Sequence, residues 1–198
     1  MLRARPSDKD ETLEVDLRSA LMRDVRQIAS PNCDSRPAGV DAELIVVHGI
    51  SLPPGEFGGP WVERLFTNTL PPDFHPYFAD ISDLRVSSHL FVARDGSPTQ
   101  FVKFTDRAWH AGQSSYRGRP ACNDFSIGIE LEGMDEIAYS AEQYAALAQA
   151  VAALCEAYPR LSPDRLVGHS DISPGRKTDP GPGFDWPHAR RRIEAACR

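Results

Sequence analysis

The sequence predicts an α/β protein of one domain, with a mixed central β-sheet flanked by α-helices. Three stretches carry that expectation. Leu44-Ile45-Val46-Val47 is an unbroken run of large apolar residues, as in a strand buried on both faces. Phe125–Gly133 alternates, with Ile127, Ile129 and Leu131 on one side and Ser126, Gly128 and Glu130 on the other, the period-two pattern of a strand. Ser140 to Tyr158 places Tyr144, Leu147, Ala148, Val151, Leu154 and Cys155 at helical spacing behind a Ser140/Gln143 capping box.

The remaining elements fill in around these. Residues 1 to about 12 are charged and proline-containing and are expected to be mobile. Leu17, Leu21, Val25 and Ile28 recur with a helix-like period, so residues 1–30 read as a partly helical N-terminal extension to a domain spanning 31–198. Asn32–Gly39 is a loop. The strand at 44–47 runs directly into His48-Gly49. Ser51–Trp61 (SLPPGEFGGPW) is stiffened by Pro and Gly, and Pro60 opens a short helix to Phe66. Asn68–Ile81 reads as irregular. Val86–Ala93 is a strand, Arg94-Asp95-Gly96-Ser97 a hairpin turn, and Thr99–Phe104 the returning strand. Trp109 and His110 fall in a loop. Arg165–Gly168 is a short strand that delivers His169 into GHSDISPGRKTDPGPGFDW, Gly168–Trp186. The Pro and Gly of that stretch fix a rigid loop. Asp185 then caps a last helix, Trp186–Cys197.

Composition narrows the class. An apolar fraction of 41% and a charged fraction of 25% are those of a soluble globular chain. The net charge of −6 weighs against a nucleic-acid partner, and Arg190–Arg192 read as the solvated face of the last helix. No stretch approaches the ~18 apolar residues of a membrane span. The first twenty residues lack a signal-peptide core, so a cytoplasmic location is expected. The four cysteines form no CxxC pair and read as free thiols, Cys155 within the core.

The candidate chemistry lies at two strand ends and one loop. His48 and His169 each follow a short apolar strand, and Asp179 sits ten positions beyond His169. Two imidazoles and a carboxylate form a catalytic zinc set, three protein ligands with one position left for water. No cysteine lies close enough to complete a closed structural site. Spacing alone leaves Asp171 as a rival ligand and His89 and His110 as rival histidines. Glu130, flanked by small residues, is the candidate general base. Lys177, two residues before Asp179, is the candidate positive group for a developing oxyanion.

Longer stretches are more specific. VVHGISLPPGEFGGPW, HPYF, RVSSH, RAWHAGQSSYRGR, CNDFSIGIELEG and GRKTDPGPGFDW resemble the zinc-dependent N-acetylmuramoyl-L-alanine amidases of the T7-lysozyme and peptidoglycan-recognition superfamily, in particular their cytosolic AmpD-type branch, which acts on 1,6-anhydro-muropeptides. The resemblance runs from about Asn32 to the last helix. It implies one Zn2+ per chain on His48, His169 and Asp179, with Glu130 as acid/base and Lys177 stabilising the tetrahedral intermediate. Trp109 and Arg85 fall in segments associated with the sugar and peptide pocket. The implied reaction cleaves the amide between the lactyl group of the anhydro-muramyl sugar and L-alanine, in cell-wall recycling. By depleting anhydro-muropeptides it would also hold down β-lactamase induction. The implied partner is a small muropeptide, with no nucleic acid and no membrane, bound by a monomer. Two other readings stand beside it. A non-catalytic muropeptide-binding module would typically lack the full metal set, and an amidase of intact peptidoglycan would need an export signal. Two departures from the family bear on substrate contacts: Gly49 stands where Asn often follows the first metal histidine, and no basic residue directly precedes Cys122.

Overall fold

Six strands make the central sheet: β1 (Arg26–Gln27), β2 (Leu44–Ile50), β3 (Leu90–Val92), β4 (Pro98–Gln100), β5 (Ser126–Glu132) and β6 (Leu166–Gly168). Their order is β6-β2-β5-β3-β4-β1. The four strands β6, β2, β5 and β3 run parallel, β3 and β4 form an antiparallel hairpin, and β1 pairs in parallel with β4 at the edge. The sheet is therefore mixed, as the sequence predicts. These elements come from a computed structural model that describes residues 12–198. The N-terminal stretch expected to be mobile lies almost wholly outside the described residues.

The central strands β2 and β5 are buried along nearly their whole length. Ile45 and Val47 of β2 and Ile127, Ile129 and Leu131 of β5 face one cluster with Leu147, Val151 and Leu154. The last three belong to helix α3 (Ala141–Ala157), which follows the short helices α1 (Trp61–Phe66) and α2 (Pro76–Ile81). Burying each such side chain contributes roughly 1.5–3 kcal/mol. Leu44 and Val46 face the other side, with Phe125 and Ile172.

Helix α3 begins where its capping box predicts. The Ser140 hydroxyl accepts from the Gln143 N–H at 3.0 Å, and the Gln143 carbonyl oxygen accepts from the Ser140 N–H at 3.1 Å. The Gln143 amide also donates to the main-chain carbonyls of Val92 and Glu132. The cap thus joins the helix to two sheet strands. The final helix, α5 (Trp186–Ala196), follows the single turn α4 (His169–Ile172) and starts on Asp185, whose carboxylate accepts from the His188 N–H at 2.9 Å. The hairpin turn needs Gly96, which lies at φ 84°, a region closed to most side chains.

Several local expectations are corrected. No helix forms over Leu13–Ile28. Val15–Asp16 and Leu21–Met22 pair as a small antiparallel ribbon, and Arg26–Gln27 joins the main sheet. The Asp16 carboxylate accepts from the Arg18 N–H and the Ser19 hydroxyl, which favours a turn over a helix. Gln100 then bonds both the Met22 N–H and the Ala20 carbonyl. Leu17, one of the four periodic residues, is 65% exposed, whereas Val15, Met22 and Val25 enter the core. Asn68–Ile81 is not wholly irregular: Pro76–Ile81 forms a helix capped by the His75 ring, which accepts from the Tyr77 N–H. Val86–Ala93 pairs only at Leu90–Val92. The Ser87 and Ser88 hydroxyls instead donate to the carbonyls of Asn32 and Gly128. Among the described residues, no helix is long and apolar enough to cross a membrane, and all four cysteines are free thiols.

Candidate active site

Strand register brings the chemistry together. In the parallel pair of β2 and β5, His48 lies directly beside Glu130. In the pair of β2 and β6, Val47 lies beside Gly168, so His169, the next residue, stands level with His48. Three adjacent strands therefore present His169, His48 and Glu130 side by side at their C-terminal ends, where α/β sheets gather ligands. His169 opens a single helical turn, His169–Ile172, so the Gly168–Trp186 stretch is not without regular structure.

Asp179 completes the set from the loop. His48 Nδ1 and His169 Nδ1 are 3.0 Å apart, and Asp179 Oδ2 lies 3.2 Å from the first and 3.1 Å from the second. Metal–ligand bonds of about 2.0–2.1 Å at tetrahedral angles put ligand atoms roughly 3.3 Å apart, close to these separations. The protonation pattern points the same way. His169 Nε2 faces the Ala111 carbonyl at 3.2 Å, an obligate acceptor that favours the tautomer with its proton on Nε2 and its Nδ1 lone pair toward the centre. Lone pairs and a carboxylate converging on one point fit a cation. These three residues can hold a metal ion.

The surroundings tune each group. Burial raises the Asp179 carboxyl, but the two imidazoles beside it overcome this and hold it well below the usual range. Burial pushes His48 down to about 4, against the pull of the neighbouring Asp179 carboxylate, which keeps one ring nitrogen unprotonated. Burial pushes the Glu130 carboxyl well above its ordinary value; the Asp179 charge adds to this and Lys177 opposes it. Glu130 Oε2 is buried with no hydrogen-bond partner among the described residues. A carboxyl left unpaired beside a cleft is a candidate for proton transfer.

The cleft has a volume of about 390 Å3. Glu130, His169, Lys177 and Asp179 lie along one side, and Tyr77, Ile81, Leu84 and Met134 supply an apolar rim. Tyr77, Leu84 and Met134 are each at least 40% exposed. Sequence reasoning missed this rim. For Tyr77 and Ile81 its signal was present in the apolar residues of the Asn68–Ile81 stretch read as irregular. The loop above the cleft is pinned by Glu132, whose carboxylate accepts from the Gly58 and Arg94 N–H groups.

The rival candidates take other positions. Asp171 accepts from the Gly168 N–H at 2.7 Å and shapes the turn that presents His169. His89 accepts from the Gly128 N–H on Nδ1 and meets the Asp106 carbonyl through Nε2, away from the centre. His110 stands behind His48, its Nδ1 2.9 Å from His48 Nε2. Trp109 donates to Asp34 at 3.2 Å, and Arg85 is exposed, donating to the carbonyls of Ser82 and Leu84. The cleft lining passes beside both: Leu84 and Val86 flank Arg85, and His110 follows Trp109. Tyr139 fills a slot between two glycines: a Cβ at Gly49 or at Gly133 would each come within 2.3 Å of it. Its hydroxyl donates to the Pro180 carbonyl at 3.0 Å, bracing the residue next to Asp179.

Comparison with known proteins agrees with this geometry. The family model described as N-acetylmuramoyl-L-alanine amidase matches residues 38–182. The 1,6-anhydro-N-acetylmuramyl-L-alanine amidase AmpD of Escherichia coli (strain K12) is 56% identical over 168 residues, 85% of this chain and 90% of that protein. The crystal structure of a Se-Met AmpD derivative superposes with a TM-score of 0.87 at 52% identity, covering 90% of this chain and 98% of the other. The amidase AmiD from E. coli, solved with anhydro-N-acetylmuramic acid-L-Ala-D-gamma-Glu-L-Lys, gives a TM-score of 0.56 at 26% identity over 92% of this chain and 66% of that one. The chain belongs to the N-acetylmuramoyl-L-alanine amidase family and is an amidase of that family.

Proposed function

We propose that the protein hydrolyses the amide between the lactyl group of 1,6-anhydro-N-acetylmuramic acid and L-alanine in free muropeptides, as a cytoplasmic step in cell-wall recycling. The observation that carries this reading is the alignment of His169, His48 and Glu130 on adjacent strands, with Asp179 closing the donor set. The substrate is taken from the E. coli relative acting on the anhydro-muramyl amide.

Zinc is the metal that best suits two imidazoles and one carboxylate with an open position, held by His48, His169 and Asp179. When bound, it supplies Lewis acidity to water and to the amide carbonyl. Glu130 takes the proton of the attacking water and passes one to the departing L-alanine nitrogen. The new C–O bond gives the lactyl carboxyl group, and the broken C–N bond frees the peptide amine. Lys177, on the cleft wall, offsets negative charge as the carbonyl oxygen becomes tetrahedral. The apolar rim of Tyr77, Leu84 and Met134 faces the sugar and the alanine methyl. Arg85 and Trp109, which flank lining residues, serve the outer part of the substrate site. The catalytic unit is residues 31–198, and Arg26–Gln27 add its edge strand.

Incubation with anhydro-muropeptide and, separately, with intact sacculus tests the reading by mass spectrometry of the soluble products. The expected result is free peptide and anhydro-sugar from the first and little release from the second. Release from the sacculus at a comparable rate makes the protein a wall amidase, and no product from either makes it a binding module.

A further inference from the structure

We propose that His110 is a positioning residue that fixes which nitrogen of His48 faces the metal, and that one short loop orients both metal-binding imidazoles. The inference rests on His48 and His169 being metal ligands.

The polarity of the chain of contacts follows from its far end. The Cys122 main-chain carbonyl can only accept, and it takes the Ser126 hydroxyl proton. Ser126 Oγ therefore accepts from His110 Nε2, 3.1 Å away. With its proton on Nε2, neutral His110 presents a bare Nδ1 to His48 Nε2 at 2.9 Å. His48 must then carry its own proton on Nε2, leaving Nδ1 free toward His169 and Asp179.

The next residue does the same for the other imidazole. The Ala111 carbonyl lies 3.2 Å from His169 Nε2. Asn123 holds the two residues together, its side-chain oxygen accepting from the N–H groups of His110 and Ala111 at 3.1 and 2.8 Å. Room for the ring comes from Gly128, where a Cβ would lie 2.5 Å from His110 Cγ. Gly128 lies between Ser126 and Glu130 on β5, so one strand carries the end of the chain of contacts, the space for the ring and the proposed base.

The test compares zinc affinity, by competition with a chromophoric chelator, for the full-length protein and its His110→Ala and His110→Asn variants. Both substitutions remove the ring, but Asn keeps an acceptor near the position of Nδ1. We expect His110→Ala to bind zinc 10–100-fold more weakly, and His110→Asn to recover most of that loss. Equal affinity in all three overturns the role of His110 and leaves the metal site intact. Equal loss in both variants reduces His110 to a packing residue and also overturns it. A parent protein that binds no zinc at that site overturns the ligand assignment itself. If His110→Ala does not fold, long-range 15N NMR of the zinc-loaded parent decides: a slowly exchanging proton on His48 Nε2 supports the proposal, and a proton shared with or carried by His110 Nδ1 refutes it.

Discussion

The two faces of strands β2 and β5 are made from the same stretches of chain and are buried to a similar degree, yet they do opposite work. On one face Ile45, Val47, Ile127, Ile129 and Leu131 meet α3 in an apolar cluster, where stability comes from excluded water and packing. On the other, His48, Ser126 and Glu130 are as inaccessible but polar, and a buried polar group costs free energy unless it is paired. His48 and Ser126 find partners, whereas one Glu130 oxygen does not. The period of two thus divides the strands into a face that is apolar throughout and a face that, beyond Leu44 and Val46, bears the cost of the chemistry.

Breaking the polar face should cost activity and spare the fold. Glu130→Gln is expected to lower kcat by about 10²–10⁴-fold, with one zinc per chain retained on metal analysis. Loss of the metal along with turnover would move Glu130 from base to structural support. On the apolar face, Leu147→Ala should do the reverse. Leu147 is fully buried, and its truncation should cost about 2–5 kcal/mol in urea unfolding, with turnover per folded molecule unchanged. Lys177→Ala is expected to reduce kcat by about 10²–10³-fold; a change confined to KM would contradict the oxyanion role.

The smallest effect concerns pH. Burial pushes His89 down to about 3, so it stays neutral in the fold at a pH where the unfolded chain protonates it. Below an unfolded-state pKa of about 6.5 the unfolded state binds more protons, and stability falls as the pH drops from there toward 3. The charge of Arg36 beside His89 adds to the effect. Urea midpoints at pH 7 and pH 5 should differ less in His89→Gln than in the parent protein. An unchanged difference would mean that His89 does not contribute to the acid sensitivity.

Much of this division was legible in the sequence. The alternation of 125–133 separated Glu130 from Ile129 and Leu131, and the apolar run before His48 set it at a strand end. Ser140 and Gln143 marked the start of α3. What failed depended on contacts remote in sequence. Leu13–Ile28 has a helical period, but Gln100, nearly eighty residues away, holds its backbone in a turn. His110 read only as a rival ligand, because its place behind His48 depends on a missing side chain at Gly128 and a hydroxyl at Ser126. Asp171 and Asp179 were equivalent by spacing, and the bond from Gly168 N–H to Asp171 separates them.

The slot that Tyr139 occupies couples two positions of the chain. Any side chain at position 49 would drive its Cβ to within 2.3 Å of the Tyr139 hydroxyl, and Gly133 hems the ring in from the other side. Positions 49 and 139 therefore form an epistatic pair. A single-site library at 49 would return mostly glycine, whereas randomising 49 and 139 together would open the site to new side chains beside the metal ligands.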